Sequence, residues 1–166
     1  MIFQSPYVVC NSWMYEELAG LAKKVPDTRI LLNSVENGDN FVASSDYLRH
    51  KDEVVATGIQ LYEYDGGTSN HGKSVLIDQD LSVVGSYNLD LRSTYLDTEL
   101  MLVVQSEELN QELEGYLTAM QESSRKVIDA DTYELPEGLE VQTAPAWKRI
   151  AWAVFGFILQ PFRCLV

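Results

Sequence analysis

The stretch His71-Gly72-Lys73-Ser74-Val75-Leu76-Ile77-Asp78-Gln79-Asp80-Leu81-Ser82-Val83-Val84-Gly85-Ser86-Tyr87-Asn88 decides how this 166-residue chain is read. Ser74-Val75-Leu76-Ile77 and Leu81-Ser82-Val83-Val84 are β-prone runs, and Asp78-Gln79-Asp80 between them is a turn-forming triplet, so the stretch predicts a hairpin. On a strand, His71 and Lys73 lie two apart and project to one face. An imidazole beside an ammonium at the mouth of a sheet is a natural anion site. The hairpin then returns Gly85, Ser86 and Asn88 to the same end, where a hydroxyl and an amide can donate to phosphate oxygens.

Upstream, Ile2-Phe3-Gln4 and Tyr7-Val8-Val9 read as a short buried strand ending in a loop. Asn11 or Ser12 caps a helix with apolar positions Met14, Leu18, Leu21, Ala22 and Val25, stopped by Pro26-Asp27. A compact strand follows over 29–32, then a loop containing Gly38, and a second helix is expected over 41–56. Gly58 ends that helix, and residues 59–64 alternate as a strand. Downstream, 99–104 is a further strand, and Ser106 caps a helix with Glu107 and Glu108 in its first turn, where the helix dipole favours acids. Its stripe Leu109, Leu113, Tyr116, Leu117 and Met120 reads as core packing. The succession strand, helix, strand, helix, strand predicts an α/β fold with a mixed, mainly parallel sheet and helices on both faces.

The pattern HxK, four residues, D, six residues, GSxN resembles the HKD signature of the phospholipase D superfamily at every defined position. Ser5-Pro6-Tyr7-Val8 resembles the strand-end sequence that opens the second half of those enzymes. Asn88-Leu89-Asp90-Leu91-Arg92-Ser93 and Asp97-Thr98-Glu99 resemble the stretch downstream of the motif in bacterial cardiolipin synthases. The resemblance implies a phospholipase D-like half-domain. In that family a histidine attacks the phosphodiester phosphorus, giving a phosphohistidine and releasing an alcohol; a second alcohol or water then takes the phosphoryl group, with no metal or other cofactor. Carried over, His71 is the nucleophile or its acid/base partner, and Lys73, Ser86 and Asn88 hold phosphate oxygens. Glu99 matches the acidic position that hydrogen-bonds the imidazole, as the acid of a hydrolase triad does. Asp78 falls in the hairpin turn, which gives it a structural role first and a catalytic one second. Asp90 and Arg92 are either pocket residues or members of an ion pair. His50-Lys51-Asp52 spells the motif's nickname, but three adjacent helical residues point in different directions, so they are read as solvent-facing.

Enzymes of this type use two such motifs facing each other, and here His50 is the only histidine besides His71. The chain is therefore expected to be the C-terminal half of a longer cardiolipin-synthase-like enzyme or to act as a homodimer. Its start on the strand that opens the second half favours the former. The implied function is a phosphatidyltransferase moving a phosphatidyl group between phospholipids. A hydrolytic phosphodiesterase (a phospholipase D or a homodimeric nuclease) and a catalytically incomplete partner half are the alternatives.

Composition agrees with a packed domain: 46% hydrophobic residues exclude wholesale disorder. The net charge is −13, unevenly spread, because the last 21 residues carry Lys148, Arg149 and Arg163 and no acid. An acidic body repels a phosphate backbone, which makes nucleic acid an unfavoured partner. Cys10 and Cys164 are too few for a disulfide framework, and a reducing compartment is expected. The opening residues lack the basic start of a secretory signal. The apolar run 150–159 is ten residues, where a membrane span needs roughly 20. Residues 1–127 are thus expected to form the catalytic half-domain, 128–145 (polar, with Pro136 and Pro145) a linker, and 146–166 a basic-apolar helix lying in the headgroup layer. The expected partners are an anionic, phosphatidylglycerol-like phospholipid and a membrane surface, and the expected location is the cytoplasmic side of the inner membrane.

Overall fold

The computed structural model describes residues 1–165. Strand β1 (Ile2–Gln4) leads into α1 (Ser12–Lys24), whose first turn is capped by the Asn11 side chain accepting the Met14 N–H, and then into β2 (Arg29–Asn33). β2 pairs in parallel with β1 and with β3 (Gln60–Tyr64). Between β2 and β3 the single helix expected over 41–56 is two. They are α2 (Phe41–Arg49), capped by Asn40, and α3 (Lys51–Ala56). His50 breaks the run at φ −111° and ψ 17°, closing one helix and opening the next.

The remaining elements are β4 (Ser74–Ile77), β5 (Leu81–Gly85), α4 (Leu91–Tyr95), β6 (Met101–Gln105), α5 (Glu107–Glu122), β7 (Ser124–Val127), β8 (Tyr133–Glu134), α6 (Ala146–Ile158) and a 3-10 helix over Gln160–Leu165. The sheet runs β6-β5-β4-β1-β2-β3-β7-β8. It is mixed, as expected, but not mainly parallel: β1–β2 and β2–β3 are the parallel pairs, and the other five pairings are antiparallel. The expectation missed because β4 joins β1 antiparallel, so that the whole motif hairpin and β6 run on as a meander, and because β7 and β8 lie in a polar stretch with no alternation. β6 forms one rim of the sheet, with Leu102 and Val103 exposed.

Helices cover both faces. α1, α2, α3 and α6 pack with Ile30, Leu32 and Leu61 around one core, and α5 lays Leu117 and Met120 on Ile2, Leu31 and Leu76 on the other. Alternate residues of β2 thus serve opposite cores, which is why its run is apolar without a polar face.

Two sequence expectations change here. The 128–145 stretch is tied down: it contributes β8, and the Gln142 N–H donates to Asp65 at 2.8 Å. The His50-Lys51-Asp52 triplet is not solvent-facing as a whole. Lys51 is 2% exposed and paired with Glu63 at 2.7 Å, and its ammonium lies 4.2 Å from the centre of the Tyr133 ring. Arg125 donates to the other oxygen of Glu63 at 2.8 Å and also pairs with Glu36. His50 is half-buried, 3.0 Å from the Gln160 side chain, and Asp52 alone faces water. The helix break turns Lys51 inward, a geometry that a single continuous helix did not suggest.

α6 is two-sided. Trp152 is buried and stacks with Phe41 at 6.0 Å, and Gly156 lies so close to the Ser45 carbonyl that a Cβ would sit 2.7 Å from it. Trp147, Ile150, Phe157 and Ile158 remain exposed. Beyond the helix, Arg163 clamps the tail by donating to Asp46 at 2.6 Å and to the Cys10 carbonyl at 2.8 Å. Among the described residues no helix is long and apolar enough to cross a membrane.

Candidate active site

The ends of β1 and β2 carry amide side chains that shape the approach to His71. The Asn33 carboxamide closes on the backbone of Asn70, accepting its N–H and donating to its carbonyl, both at 2.8 Å. Asn70 in turn accepts the Gly72 N–H and the Gln4 amide, each at 2.9 Å, and Gln4 accepts the Ser74 hydroxyl at 2.8 Å. The Tyr116 hydroxyl accepts from Asn70 as well. A Cβ at Gly72 would lie 2.5 Å from the Gln4 amide, so a side chain at the middle residue of His-Gly-Lys has to displace the end of Gln4.

His71 emerges exposed from this scaffold, and among the described residues neither ring nitrogen has a hydrogen-bond partner. Lys73 is partly buried and donates to the His71 carbonyl at 2.7 Å. Loss of hydration lowers its pKa, while the carboxylates of Glu99, Asp39 and Asp90 oppose that shift.

The second half of the motif is brought alongside by the hairpin. The Gly85 N–H donates to the Lys73 carbonyl at 3.2 Å, which sets Ser86 beside Lys73. Gly85 itself lies against the Leu100 carbonyl and Met101 with no space for a Cβ. The Ser86 hydroxyl donates to Glu99 and accepts the Leu100 N–H at 3.0 Å. Ser93 donates to the other Glu99 oxygen at 2.7 Å and accepts the Asn88 N–H at 3.2 Å. The side-chain oxygen of Asn88 is buried without a partner.

The structure thus brings together His71, Lys73, Ser86, Asn88 and Glu99 at one end of the sheet, but not in every expected pairing. Glu99 precedes β6 instead of lying on a strand, and its carboxylate holds Ser86 and Ser93, not the imidazole. Asp78 is removed from the group: it sits at the turn of the hairpin, at the far end of β4, exposed and at φ 50°. That left-handed conformation suits Asp in a tight turn. Asp90 caps α4 by accepting the Ser93 N–H, and burial raises its pKa. Arg92 pairs with Asp97 at 2.9 Å. Gln4, Asn33, Asn70, Ser93 and Tyr116 were missed as site-building residues. Amides closing otherwise apolar strands, as in Arg29-Ile30-Leu31-Leu32-Asn33, are the signal that points to the first two.

This arrangement, a β-hairpin motif laid beside parallel strands, defines a class of protein that is already represented among solved structures. Phosphatidylserine synthase of Haemophilus influenzae Rd KW20 superposes with a TM-score of 0.69 and 16% identity, over 99% of this chain and 41% of that one. Nuc, a phospholipase D family member from Salmonella typhimurium, gives 0.60 and 17% over 75% of this chain and 79% of that one. The fold is the phospholipase D fold. More narrowly, the family model described as "Cardiolipin synthase, PLD-like domain" matches residues 1–121, and the chain belongs to that family. Cardiolipin synthase A of Klebsiella pneumoniae is 29% identical over 160 residues, and that of Escherichia coli O1:K1 is 28% identical over 160 residues. Each match takes in 95% of this chain and 30% of the relative, so the chain spans about 30% of the length of these relatives.

Proposed function

We propose that this chain supplies one half of a phosphatidyltransferase site of the cardiolipin synthase type. The observation that carries the reading is the Gly85 N–H bond to the Lys73 carbonyl, which holds Ser86 and Asn88 beside His71 and Lys73. An exposed imidazole, a partly desolvated ammonium and neighbouring hydroxyl and amide groups suit a phosphodiester monoanion. In the reaction a ring nitrogen of His71 attacks the phosphorus of phosphatidylglycerol. The bond to the glycerol oxygen breaks, and that oxygen takes a proton from the histidine of a second motif. The hydroxyl of another phosphatidylglycerol then returns a proton to that histidine and displaces His71, leaving cardiolipin. Lys73, Ser86 and Asn88 hold the non-bridging oxygens, and Glu99 aligns that side of the site through Ser86 and Ser93.

The second motif comes from another half-domain, in a longer chain or a second copy, and exposed Tyr95, Leu96 and Leu100 at the rim of the site suit such a contact. The exposed apolar side of α6 beside Lys148 and Arg149 suits the cytoplasmic surface of an anionic membrane. Residues 1–127 are the catalytic half-domain in this reading, with 146–166 the membrane-facing element. The test is incubation with phosphatidylglycerol vesicles in EDTA, followed by lipid mass spectrometry. Cardiolipin and free glycerol are expected with intact His71, either from the chain as a dimer or after adding a second half-domain, and not with His71→Ala. Turnover unchanged in His71→Ala sinks the assignment.

A further inference from the structure

Away from His71, a cavity of about 750 Å³ opens between α2, α6 and the 128–145 stretch. Its volume is in the range of small-molecule sites. One wall is apolar, from Leu48, Ile150 and Ala153, with the buried Trp152 behind them. The indole N–H of Trp152 is buried and has no hydrogen-bond partner, a donor left unmatched in a residue only 2% exposed.

The lining also carries cations. Arg49, Arg125 and Arg149 lie in it with Glu36 and Asp131. Arg125 is engaged by Glu36 and Glu63, whereas Arg49 and Arg149 have no carboxylate partner among the described residues. In a chain of net charge −13, a lining with three arginines and two acids, two of the arginines without a carboxylate partner, is a local reversal of sign. Arg49 is held over the Phe157 ring at 5.5 Å, and Ile150 carries the apolar wall out to the exposed side of α6.

We propose that this cavity is a second, non-catalytic site for an anionic phospholipid, resting on the membrane-surface reading of α6 given above. The phosphate meets Arg49 and Arg149 as a charge-assisted pair, and the glycerol and the start of an acyl chain lie along Leu48, Ile150 and Ala153. Bound lipid bridges α2 and α6 at the bilayer surface, and so sets the height of the His71 end above it.

The probe is monomeric dihexanoylphosphatidylglycerol, titrated calorimetrically into the full chain. Arg49, Arg149 and Ala153 are exposed, so their replacement leaves the core intact. Wild type and Lys73→Ala, which removes the ammonium assigned to phosphate at the catalytic site, are expected to bind alike, which separates this site from the catalytic one. Arg49→Ala with Arg149→Ala is expected to weaken binding at least about tenfold, the loss of one charge-assisted pair. Ala153→Leu, which keeps every charge and fills the apolar wall, is expected to weaken it comparably, and dihexanoylphosphatidylcholine to bind more weakly. Wild-type affinity in both the double arginine variant and Ala153→Leu overturns the proposal, as does loss of binding in Lys73→Ala. Inorganic phosphate is expected not to displace the lipid; complete displacement makes the cavity a free-phosphate site and overturns the lipid assignment. Failure of cardiolipin synthesis with this binding intact counts against the catalytic reading alone.

Discussion

Glu99 receives the Ser93 hydroxyl at 2.7 Å on one carboxylate oxygen and the Ser86 hydroxyl on the other. Two donors to the charged form, Ser86 the stronger, hold its carboxyl below the ordinary glutamate value. A depressed folded pKa means that the stabilisation is present above the unfolded value and fades as pH falls through the folded one. In a carboxyl-carbon NMR titration Glu99 should therefore titrate below the other exposed glutamates. Ser86→Ala with Ser93→Ala should return it upward; an unmoved Glu99 would show that the clasp does not form.

Lys73 shifts for the opposite reason, burial disfavouring its charged form. Its positive charge is lost at a lower pH than that of an exposed lysine. Binding of a soluble phosphodiester should then weaken as the medium is taken from neutral to alkaline pH, with a midpoint below that of free lysine. Lys73→Arg should hold affinity across the same range, because a guanidinium does not deprotonate there. A flat profile in the wild type would remove Lys73 from phosphate binding.

The pairing of Lys51 with Glu63 at 2.7 Å lies in the interior, the side chains 2% and 1% exposed. Lys51→Ala leaves the Glu63 charge short of a partner, and should cost about 3–5 kcal/mol in urea unfolding. His50→Ala should cost on the order of 1 kcal/mol through its lost contact with Gln160. Lys24→Ala, at an exposed helix end, is the control and should fall within about 0.5 kcal/mol of wild type.

Gly85→Ala should destabilise by about 1–3 kcal/mol, since the new methyl meets the Leu100 carbonyl and Met101 and must push β6 from β5. Gly72→Ala presses instead on the flexible end of Gln4. It should lower turnover more than stability, by disturbing the Asn70 bonds that aim His71. Equal losses of melting temperature in the two variants would contradict this distinction.

The motif hairpin was legible because its signals are local: alternating β-branched residues, an acidic turn triplet and glycines at both ends. β4 and β5 fall within a residue of their expected bounds, and Asn11 and Ser106 cap the helices expected of them. What escaped depends on partners far apart in the chain. Ser93 and Glu99 meet only after α4 closes the loop between them, so the imidazole was assigned a carboxylate that serves two hydroxyls. Lys51 looked like a surface residue because nothing local announces Glu63 and Arg125 across the sheet. Tyr116 follows a helical apolar period, yet it is half exposed and its hydroxyl serves Asn70 and Gln4.

At the rim of the sheet, β6 presents one side of its backbone with no neighbouring strand among the described residues, and Leu102 and Val103 face water beside it. An unpaired, apolar strand of this kind is a template for strands from other molecules. Purified alone and concentrated, the chain is expected to aggregate from that rim. A lysine at Val103 would blunt the template without touching either core, at the expense of whatever neighbour the rim meets in the cell.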